Sequence, residues 1–313
     1  MRETREAARV RRRLTVRQLE ILASVGREGS VTAAAAQLHL TQPAVSMQLR
    51  QIEEAFGLAL FEQVGRRLVI TEPGRTLLPL AEEILSRLDD LEQTTRALRG
   101  LRTGRIRLGL VSTTKYFAPR LVAQFGRTHP GIEFKLTVHN REQIIERLRS
   151  YSFDLGLMGR PPEGMDFVGL PFAPNPLIIV AAPAHPLSLR RRMEPRELDG
   201  EPLIVREPGS GTRIAMDRFF AETGVRCRQI MEADSNETIK QAVMAGMGLG
   251  FLSMQTVRAE LAEGRIAMLD VQGLPLRRQW FVVHSRSRRL TPAPAEFREF
   301  LLHEADALMR VAV

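Results

Sequence analysis

Apolar and polar positions near the N-terminus repeat with the period of an α-helix. Val16, Leu19, Leu22 and Ala23 fall on one side of such a helix, because residues three and four positions apart share a face. Thr15 stands just before them, with a glutamine three residues further on, a pair typical of a capping box. The pattern therefore predicts a first helix that begins after residue 15.

Two further short helices follow. Ser30 is a candidate N-cap for an alanine-rich helix over 31–38, and His39-Leu40 predicts a tight turn. Thr41 is a candidate N-cap for a third helix, with a proline in its first turn, where no amide donor is needed. The apolar face of this third helix comprises Val45, Leu49 and Ile52.

The opposite face of the third helix is polar, and a predicted β-hairpin follows it. The hairpin strands are 60–64 and 68–71, with Arg66 and Arg67 near the tip. A helix of this kind fits the major groove, where glutamine pairs with adenine and arginine with guanine or phosphate. Arginines on a wing suit phosphates or the minor groove. The segment predicts DNA binding, although such a bundle also occurs without DNA. The polar face carries Gln42, Ser46, Gln48 and Arg50.

A long helix over 75–99 carries a second kind of pattern. Its apolar positions recur at alternating spacings of four and three, a 3.5-residue period that predicts pairing with a partner helix in a coiled-coil dimer. The alternative is a helix packed only on its own domain. The predicted seam comprises Leu77, Ala81, Ile84, Leu88, Leu91, Thr95 and Leu98.

From residue 106 short apolar runs alternate with helical stretches, which predicts an α/β region with largely parallel sheets. The predicted strands are 106–111, 134–138, 155–158, 177–182, 203–205, 230–233, 249–253 and 280–283. The predicted helices are 119–128, 141–149, 212–223, 236–245 and 295–309. At this length two lobes are expected, with crossovers near 180 and 282.

The pattern divides the chain into five parts. These are a basic tail over 1–13, a helical DNA-binding module over 14–74, a linker helix over 75–100, a first lobe over 106–181 plus 281–310, and a second lobe over 182–280.

Net charge and composition add only a little to this assignment of domains and partners. The chain of 313 residues has a formal net charge of +9 and one cysteine, Cys227. A basic chain suggests a polyanionic partner, but residues 14–78 hold as many glutamates as arginines. A single cysteine builds neither a disulfide framework nor a cysteine zinc site. The charged N-terminus argues against a secretory signal, and no apolar stretch is long enough to span a bilayer. A reducing cytoplasm is expected, with no membrane partner.

Polar residues follow the predicted strands of the α/β region, where open sheets bind ligands. Residues 112–115 and 209–213 precede helices, and helix N-termini bind anions. Convergence of these residues would surround an inter-lobe cleft with cations suited to a dianionic or doubly phosphorylated metabolite. Alternatively, some of the cations are solvated or paired with carboxylates such as Glu237. The candidates are Ser112, Thr113, Thr114, Lys115, Asn140, Arg141, Arg160, Ser210, Gly211, Thr212, Arg213 and Glu237.

The run from Gly29 to Gly74, GSVTAAAAQLHLTQPAVSMQLRQIEEAFGLALFEQVGRRLVITEPG, resembles the winged helix-turn-helix of the LysR-type transcriptional regulators. The rest of the chain to about residue 308 also resembles that family. The resemblance implies a linker helix, a two-lobed effector domain like that of periplasmic binding proteins, and a homodimer that pairs into a homotetramer. It implies promoter DNA, a small effector and RNA polymerase as partners. It also implies that Arg66 supports the wing and that DNA faces Thr41, Gln42, Pro43, Ser46, Gln48 and Arg50. Met47 departs from the family pattern, in which an arginine is common immediately before Gln48.

Several effector-region segments, among them STTKYFAPRLVAQF, DLGLMGRPP and REPGSGTR, resemble the CbbR-type subgroup, which controls Calvin-cycle operons. This resemblance implies a reversible carbon-fixation effector, such as ribulose 1,5-bisphosphate, phosphoenolpyruvate or NADPH, and no bound cofactor. A regulator of another metabolic operon with a different effector is the alternative.

Two other classes of protein, an enzyme and a transport binding protein, fit the sequence less well. An enzyme is disfavoured because the histidines show no metal-ligand spacing and no nucleophile elbow is present. Gly246, Gly248 and Gly250 follow a helix and precede a strand, the reverse of the order that a dinucleotide motif requires. A transport binding protein would suit the α/β region alone, but not the attached DNA-binding module.

Overall fold

The computed structural model describes residues 14–65, 67–100, 103–162, 164 and 166–310. These residues separate into two compact units, 14–92 with 150–152 and 93–149 with 153–310. The predicted tail over 1–13 and the wing residue Arg66 lie outside the described residues. In the part of the chain that is described, no helix is long and apolar enough to cross a membrane.

The first unit begins with three helices, and two of the three predicted caps are confirmed. Thr15 and Gln18 form a reciprocal capping box, and the Ser30 hydroxyl accepts a hydrogen bond from the Ala33 amide. Thr41 is the N-cap by position, but its side chain makes no capping bond, so that part of the expectation was wrong. The helices are α1 Val16–Glu28, α2 Val31–Gln37 and α3 Gln42–Phe56. Their buried core includes Leu22, Val25, Ala34, Val45 and Ile52.

A two-stranded antiparallel hairpin follows, β1 (Phe61–Val64) and β2 (Arg67–Ile70). The next helix, α4 (Glu72–Leu98), begins earlier than expected. Pro73 and Gly74, which the predicted boundary at residue 74 assigned to the preceding module, therefore lie in the first turn of this helix. A Cβ on Gly74 would lie 2.2 Å from the Leu60 carbonyl oxygen, so only glycine lets the helix start approach the hairpin this closely.

The second unit holds two five-stranded sheets. The first sheet has the order β4-β3-β5-β12-β6; β3 pairs in parallel with β4 and β5, whereas β12 is antiparallel to β5 and β6. Its strands are β3 Gly104–Val111, β4 Ile132–His139, β5 Leu155–Met158, β6 Phe167–Pro174 and β12 Gln279–Ser285. The helices α5 Ala118–Thr128, α6 Arg141–Arg149 and α10 Pro292–Arg310 belong to this first lobe.

The second sheet has the order β11-β7-β10-β8-β9. Here β8 pairs in parallel with β9 and β10, and β7 is antiparallel to β10 and β11. Its strands are β7 Leu177–Ala181, β8 Pro202–Arg206, β9 Arg228–Ala233, β10 Leu249–Ser253 and β11 Ala267–Met268. The helices α7 Gly211–Thr223, α8 Asn236–Met244 and α9 Met254–Ala262 complete this second lobe.

The lobe boundary differs from the sequence-based one. Strand β7 was expected to close the first lobe at residue 181, but it pairs within the second sheet, so the chain crosses between the lobes at residues 175–176. It returns before Gln279 rather than at 281. Strands that enter from the other lobe run against their neighbours, which is why both sheets are mixed and not largely parallel. Strand β6 was missed because its prolines and glycine weaken the strand signal, yet an edge strand tolerates them.

Candidate functional site

A cavity of about 610 Å³ lies between the two lobes, at the carboxyl ends of the parallel strands. This is where open α/β sheets bind ligands. Most of the predicted effector residues converge on it. Eight of them line the cavity: Ser112, Thr113, Asn140, Arg141, Arg160, Ser210, Gly211 and Thr212.

Four predicted effector residues do not line this cavity, and each has another role. Thr114 is buried and its hydroxyl donates to the Val111 carbonyl at 2.9 Å. The Lys115 ammonium lies 5.4 Å from the centre of the Tyr116 ring. Arg213 bonds both carboxylate oxygens of Asp217 at 3.0 Å, the paired state that the sequence left open for such cations.

Glu237 belongs to a separate cluster on α8. It lies 2.9 Å from the Lys240 ammonium and accepts a hydrogen bond of 3.3 Å from the Tyr116 hydroxyl. Lys240 also bonds the buried Glu260 at 2.7 Å. Burial is the main reason that the pKa of Tyr116 rises to about 12. This cluster joins the lobes on the side of a second, smaller cavity of about 340 Å³.

Sequence reasoning missed Arg206, which also lines the large cavity. Its side chain is only 4 % exposed. Two of its nitrogens bond the Glu207 carboxylate at 2.7 and 2.8 Å, and Nη1 donates to Asn236 Oδ1 at 2.7 Å. Nη2 also donates to the Ser112 hydroxyl at 3.0 Å. The strand-end arginine therefore connects the second lobe to the first.

Sequence reasoning also missed Arg278, which lines the cavity together with Arg141 and Arg160 and interacts electrostatically with both. Its Nη1 donates to the Gly211 carbonyl at 3.2 Å. Among the described residues, no carboxylate oxygen lies within 4.0 Å of its guanidinium. Burial, followed by the like charges of Arg160, Arg218 and Arg141, lowers the pKa of Arg278. Burial and Arg160 likewise lower the pKa of Arg141. An anion bound here would neutralise this repulsion.

Two residues of the cavity lining have buried ring nitrogens. The Trp280 Nε1–H group and His139 Nε2 are buried, and neither has a hydrogen-bond partner among the described residues. Burial and the Arg147 charge lower the pKa of His139. Its Nδ1 lies 3.3 Å from Gln143 Oε1, so in the neutral ring Nδ1 donates and Nε2 is left as an acceptor. Both residues line the cavity, but these two nitrogen atoms are shielded from solvent.

The exposed face of α3 retains the residues predicted to contact DNA. Thr41, Gln42, Pro43 and Arg50 are exposed, and Ser46 and Gln48 are partly exposed. The Gln42 side-chain amide donates to the Ser46 hydroxyl at 3.0 Å, which orders this face at the start of the helix. Arg67 is exposed on β2.

The predicted seam of α4 divides into two parts. Leu77 and Ala81 pack in the core of the first unit, so this end of the helix is anchored in its own domain. Further along, Ile84, Leu88, Leu91 and Leu98 are exposed. Only this second part presents apolar side chains to the surface of the chain.

Cys227 lies apart from the cavity. Its thiol donates to the Leu198 carbonyl at 3.4 Å. Burial, with Asp199 and Glu201 adding to it, raises the pKa of the thiol to about 11. Such a thiol is a poor nucleophile at neutral pH, in agreement with a structural side chain.

Family comparisons match both units. Residues 16–75 match the model of the bacterial regulatory helix-turn-helix protein of the lysR family, and residues 99–306 match the LysR substrate binding domain. The fold and the cleft define a DNA-binding regulator with a two-lobed sensor. The chain belongs to the LysR family of transcriptional regulators. This membership confirms the predicted fold class, and the relatives are regulators, not enzymes.

Individual relatives point to one subgroup. The chain is 45% identical over 292 residues to a RuBisCO operon transcriptional regulator of Allochromatium vinosum, covering 93% of this chain and 97% of that protein. It is 46% identical over 300 residues to the HTH-type transcriptional regulator CfxR of Cupriavidus necator, covering 96% and 95%. The resemblance to RuBisCO operon regulators is therefore confirmed.

Solved structures agree with the fold. The regulatory domain of CcmR from Synechocystis PCC6803, solved in complex with 2-PG, is 37% identical with a TM-score of 0.62, covering 67% of this chain and 99% of that one. Full-length CbnR complexed with its target DNA has a TM-score of 0.69 at 20% identity, covering 92% and 99%. At that identity the likeness to CbnR concerns the fold alone.

Proposed function

We propose that this regulator controls carbon-fixation genes and responds to a small phosphorylated or dicarboxylate metabolite bound between its lobes. The observation that carries the proposal is the cluster of Arg141, Arg160 and Arg278 in the cavity lining, where burial, followed by repulsion between the guanidinium groups, lowers two arginine pKa values. A guanidinium fork matches phosphate and carboxylate oxygens.

The identities of the relatives support the genes proposed. Two relatives that match nearly the whole chain are named for the RuBisCO operon or as CfxR. A structural neighbour at 37% identity was solved with 2-PG. Ribulose 1,5-bisphosphate, phosphoenolpyruvate and NADPH all carry the phosphate chemistry that the arginine cluster suits.

In this proposal α3 enters the major groove of promoter DNA, with Gln42, Gln48 and Arg50 toward the bases and phosphates. The exposed apolar side chains of α4 suit a partner helix in a homodimer, and two dimers form a tetramer that contacts RNA polymerase in the cytoplasm. The ligand switches the assembly only through its different affinities for two arrangements of the subunits.

The test is a titration of the protein with its own upstream intergenic DNA at one fixed salt concentration, with and without ribulose 1,5-bisphosphate. Specific binding whose affinity or DNA bend changes with the bisphosphate supports both parts of the proposal. If specific DNA binding does not change with ribulose 1,5-bisphosphate but does change with phosphoenolpyruvate or NADPH, the effector is one of these two and not the bisphosphate. An absence of preference over random DNA contradicts the proposal.

A further inference from the structure

The Arg206 guanidinium in the cavity lining is already paired with a carboxylate of the chain itself. The Arg206 side chain is 4 % exposed, and the side chain of Glu207, which pairs with it and also lines the cavity, is 24 % exposed. Glu207 Oε2 accepts from Arg206 Nε at 2.7 Å, and Oε1 accepts from Nη2 at 2.8 Å. This two-point arrangement is the one that a bound carboxylate or phosphate would adopt on an arginine.

From this geometry we infer that Glu207 is an internal competitor for the anion site and thereby sets its selectivity. A ligand that reaches Arg206 must first move the Glu207 carboxylate away. The inference rests on the proposed function, because it assumes that an anion binds in this cavity. It adds a residue that selects among anions: only a group that pairs with guanidinium more strongly than a carboxylate does, such as a phosphate dianion, displaces Glu207 readily.

Displacement of Glu207 would affect both lobes, because Arg206 bonds residues of each. While Glu207 holds two of its nitrogens, Arg206 also bonds Asn236 in its own lobe and Ser112 in the other lobe. The exchange of one anion for another on the same guanidinium keeps its charge compensated. The Glu207 carboxylate, once displaced, lies next to the start of α7, where residues 210–212 also line the cavity. Binding at Arg206 would therefore move the segment that leads into this helix.

A neighbouring carboxylate provides a matched control. Glu142 Oε1 lies 3.5 Å from the position of a Cβ on Gly209, so it is close to the same segment. It makes no bond to Arg206 among the described residues. Glu142→Gln and Glu207→Gln remove the same charge from the same region, but only the second frees Arg206.

The experiment is calorimetric titration of the full chain with ribulose 1,5-bisphosphate and, separately, with inorganic pyrophosphate. If Glu207 covers Arg206 about nine-tenths of the time, Glu207→Gln tightens binding of both anions by about tenfold. Glu142→Gln removes a carboxylate that acts on Arg141 but does not pair with Arg206, so its gain should be clearly smaller than that of Glu207→Gln. Glu207→Asp keeps the charge but is too short for the two-point contact, and it should give an intermediate gain. This variant preserves the test if Glu207→Gln fails to fold.

Three results overturn the inference. The first is weaker binding to both Glu207 variants, which would make Glu207 a ligand contact. The second is unchanged binding, and the third is an equal gain from Glu142→Gln, which would make the effect one of overall charge. If the wild type and all variants bind neither anion, the inference and the proposed effector class fail together. Wild-type binding that Arg278→Gln abolishes, with no gain from Glu207→Gln, overturns the inference and leaves the proposed function intact.

Discussion

The side-chain amide of Asn236 donates a hydrogen bond of 3.3 Å to the hydroxyl of Thr113, and the two residues belong to different lobes. Both residues are buried. The same amide lies 3.4 Å from the Ser112 hydroxyl, and Asn236 Oδ1 accepts from Arg206. The first turn of α8 is thereby tied to the turn after β3, whose Ser112 and Thr113 line the inter-lobe cavity.

Removal of this bond should weaken effector binding. Thr113→Val keeps the shape but deletes the acceptor, and we expect about fivefold weaker binding, since a buried hydrogen bond contributes about 1 kcal/mol. Thr114→Val is the matched control, because the Thr114 hydroxyl bonds only within its own turn; it should lower stability more than affinity. A double-mutant cycle with Asn236→Ala, read by calorimetry, should give a coupling of about 1 kcal/mol. Additive effects of the two substitutions would contradict the tie between the lobes.

Arg278→Gln should separate binding from stability. The loss of one guanidinium from the cluster should weaken anion binding by at least about tenfold, because hydrogen bonds to charged groups contribute roughly 1.5–3 kcal/mol. The unliganded protein should be at least as heat-stable as the wild type, since repulsion from Arg141 and Arg160 is relieved. The exposed neighbour Arg277 offers the control Arg277→Gln, with the same change of charge. Equal losses of affinity in both variants would point to a general electrostatic effect.

The division between what sequence could and could not predict follows the range of the interactions. The Thr15 capping box and the Ser30 cap involve residues three positions apart, so the local pattern was sufficient to predict them. The turn residues after β3 and before α7 were found because strand ends and helix starts can be recognised locally. The lobe boundary was not found, because β7 is apolar throughout and would suit either sheet.

The contacts of Arg206 and Arg278 in the cavity could not be predicted from local sequence patterns. Arg206 meets Ser112 across 94 positions of sequence, and Arg278 meets Gly211 across 67. The candidates were chosen because they follow predicted strands or begin helices; Arg278 does neither, and Arg206 follows the predicted strand 203–205 but was not selected. Conversely, Arg213 and Glu237 do stand at helix starts, but nearby partners of opposite charge bind them instead. Only the assembled fold distinguishes an arginine that lacks a carboxylate from one that is paired.

Arg50→Gln should weaken operator binding without affecting the effector. Arg50 is exposed on α3, in the proposed DNA-contacting surface. If it contacts a phosphate, the slope of log affinity against log salt should fall by about 0.9, the value for one lost phosphate contact on duplex DNA. If it pairs with guanine, the loss should instead depend on operator sequence, at about 1–3 kcal/mol. Arg27→Gln is the control, because the Arg27 guanidinium bonds a carbonyl of its own helix. Fluorescence anisotropy over a salt series, with operators of different sequence, measures the salt slope and the sequence dependence. Loss of effector affinity in Arg50→Gln would contradict separate DNA and effector sites.

His284 should make the stability of the effector unit depend on pH. Its Nδ1 lies 2.9 Å from the Ser285 carbonyl, which can only accept, so the neutral ring carries its proton there and Nε2 faces Arg298 Nη1 at 3.4 Å. Burial is the largest effect and lowers the pKa of His284 below its usual 6.5; the Ser285 hydrogen bond opposes it, and the charges of Arg298 and Arg286 add to the lowering. A lowered pKa means that the unfolded chain binds the proton more tightly than the native state does. The stability that His284 contributes is therefore complete above pH 6.5 and is lost as the pH falls below that value.

The measurement is urea unfolding of the wild type and His284→Asn between pH 5 and pH 8. Asparagine retains a side-chain N–H for the Ser285 carbonyl but does not titrate, so the variant should lose less stability on acidification than the wild type does. His303→Asn is the control, because His303 is exposed on α10; its pH dependence should match that of the wild type. Parallel acid curves for the wild type and His284→Asn would show that the buried imidazole does not titrate differently in the two states.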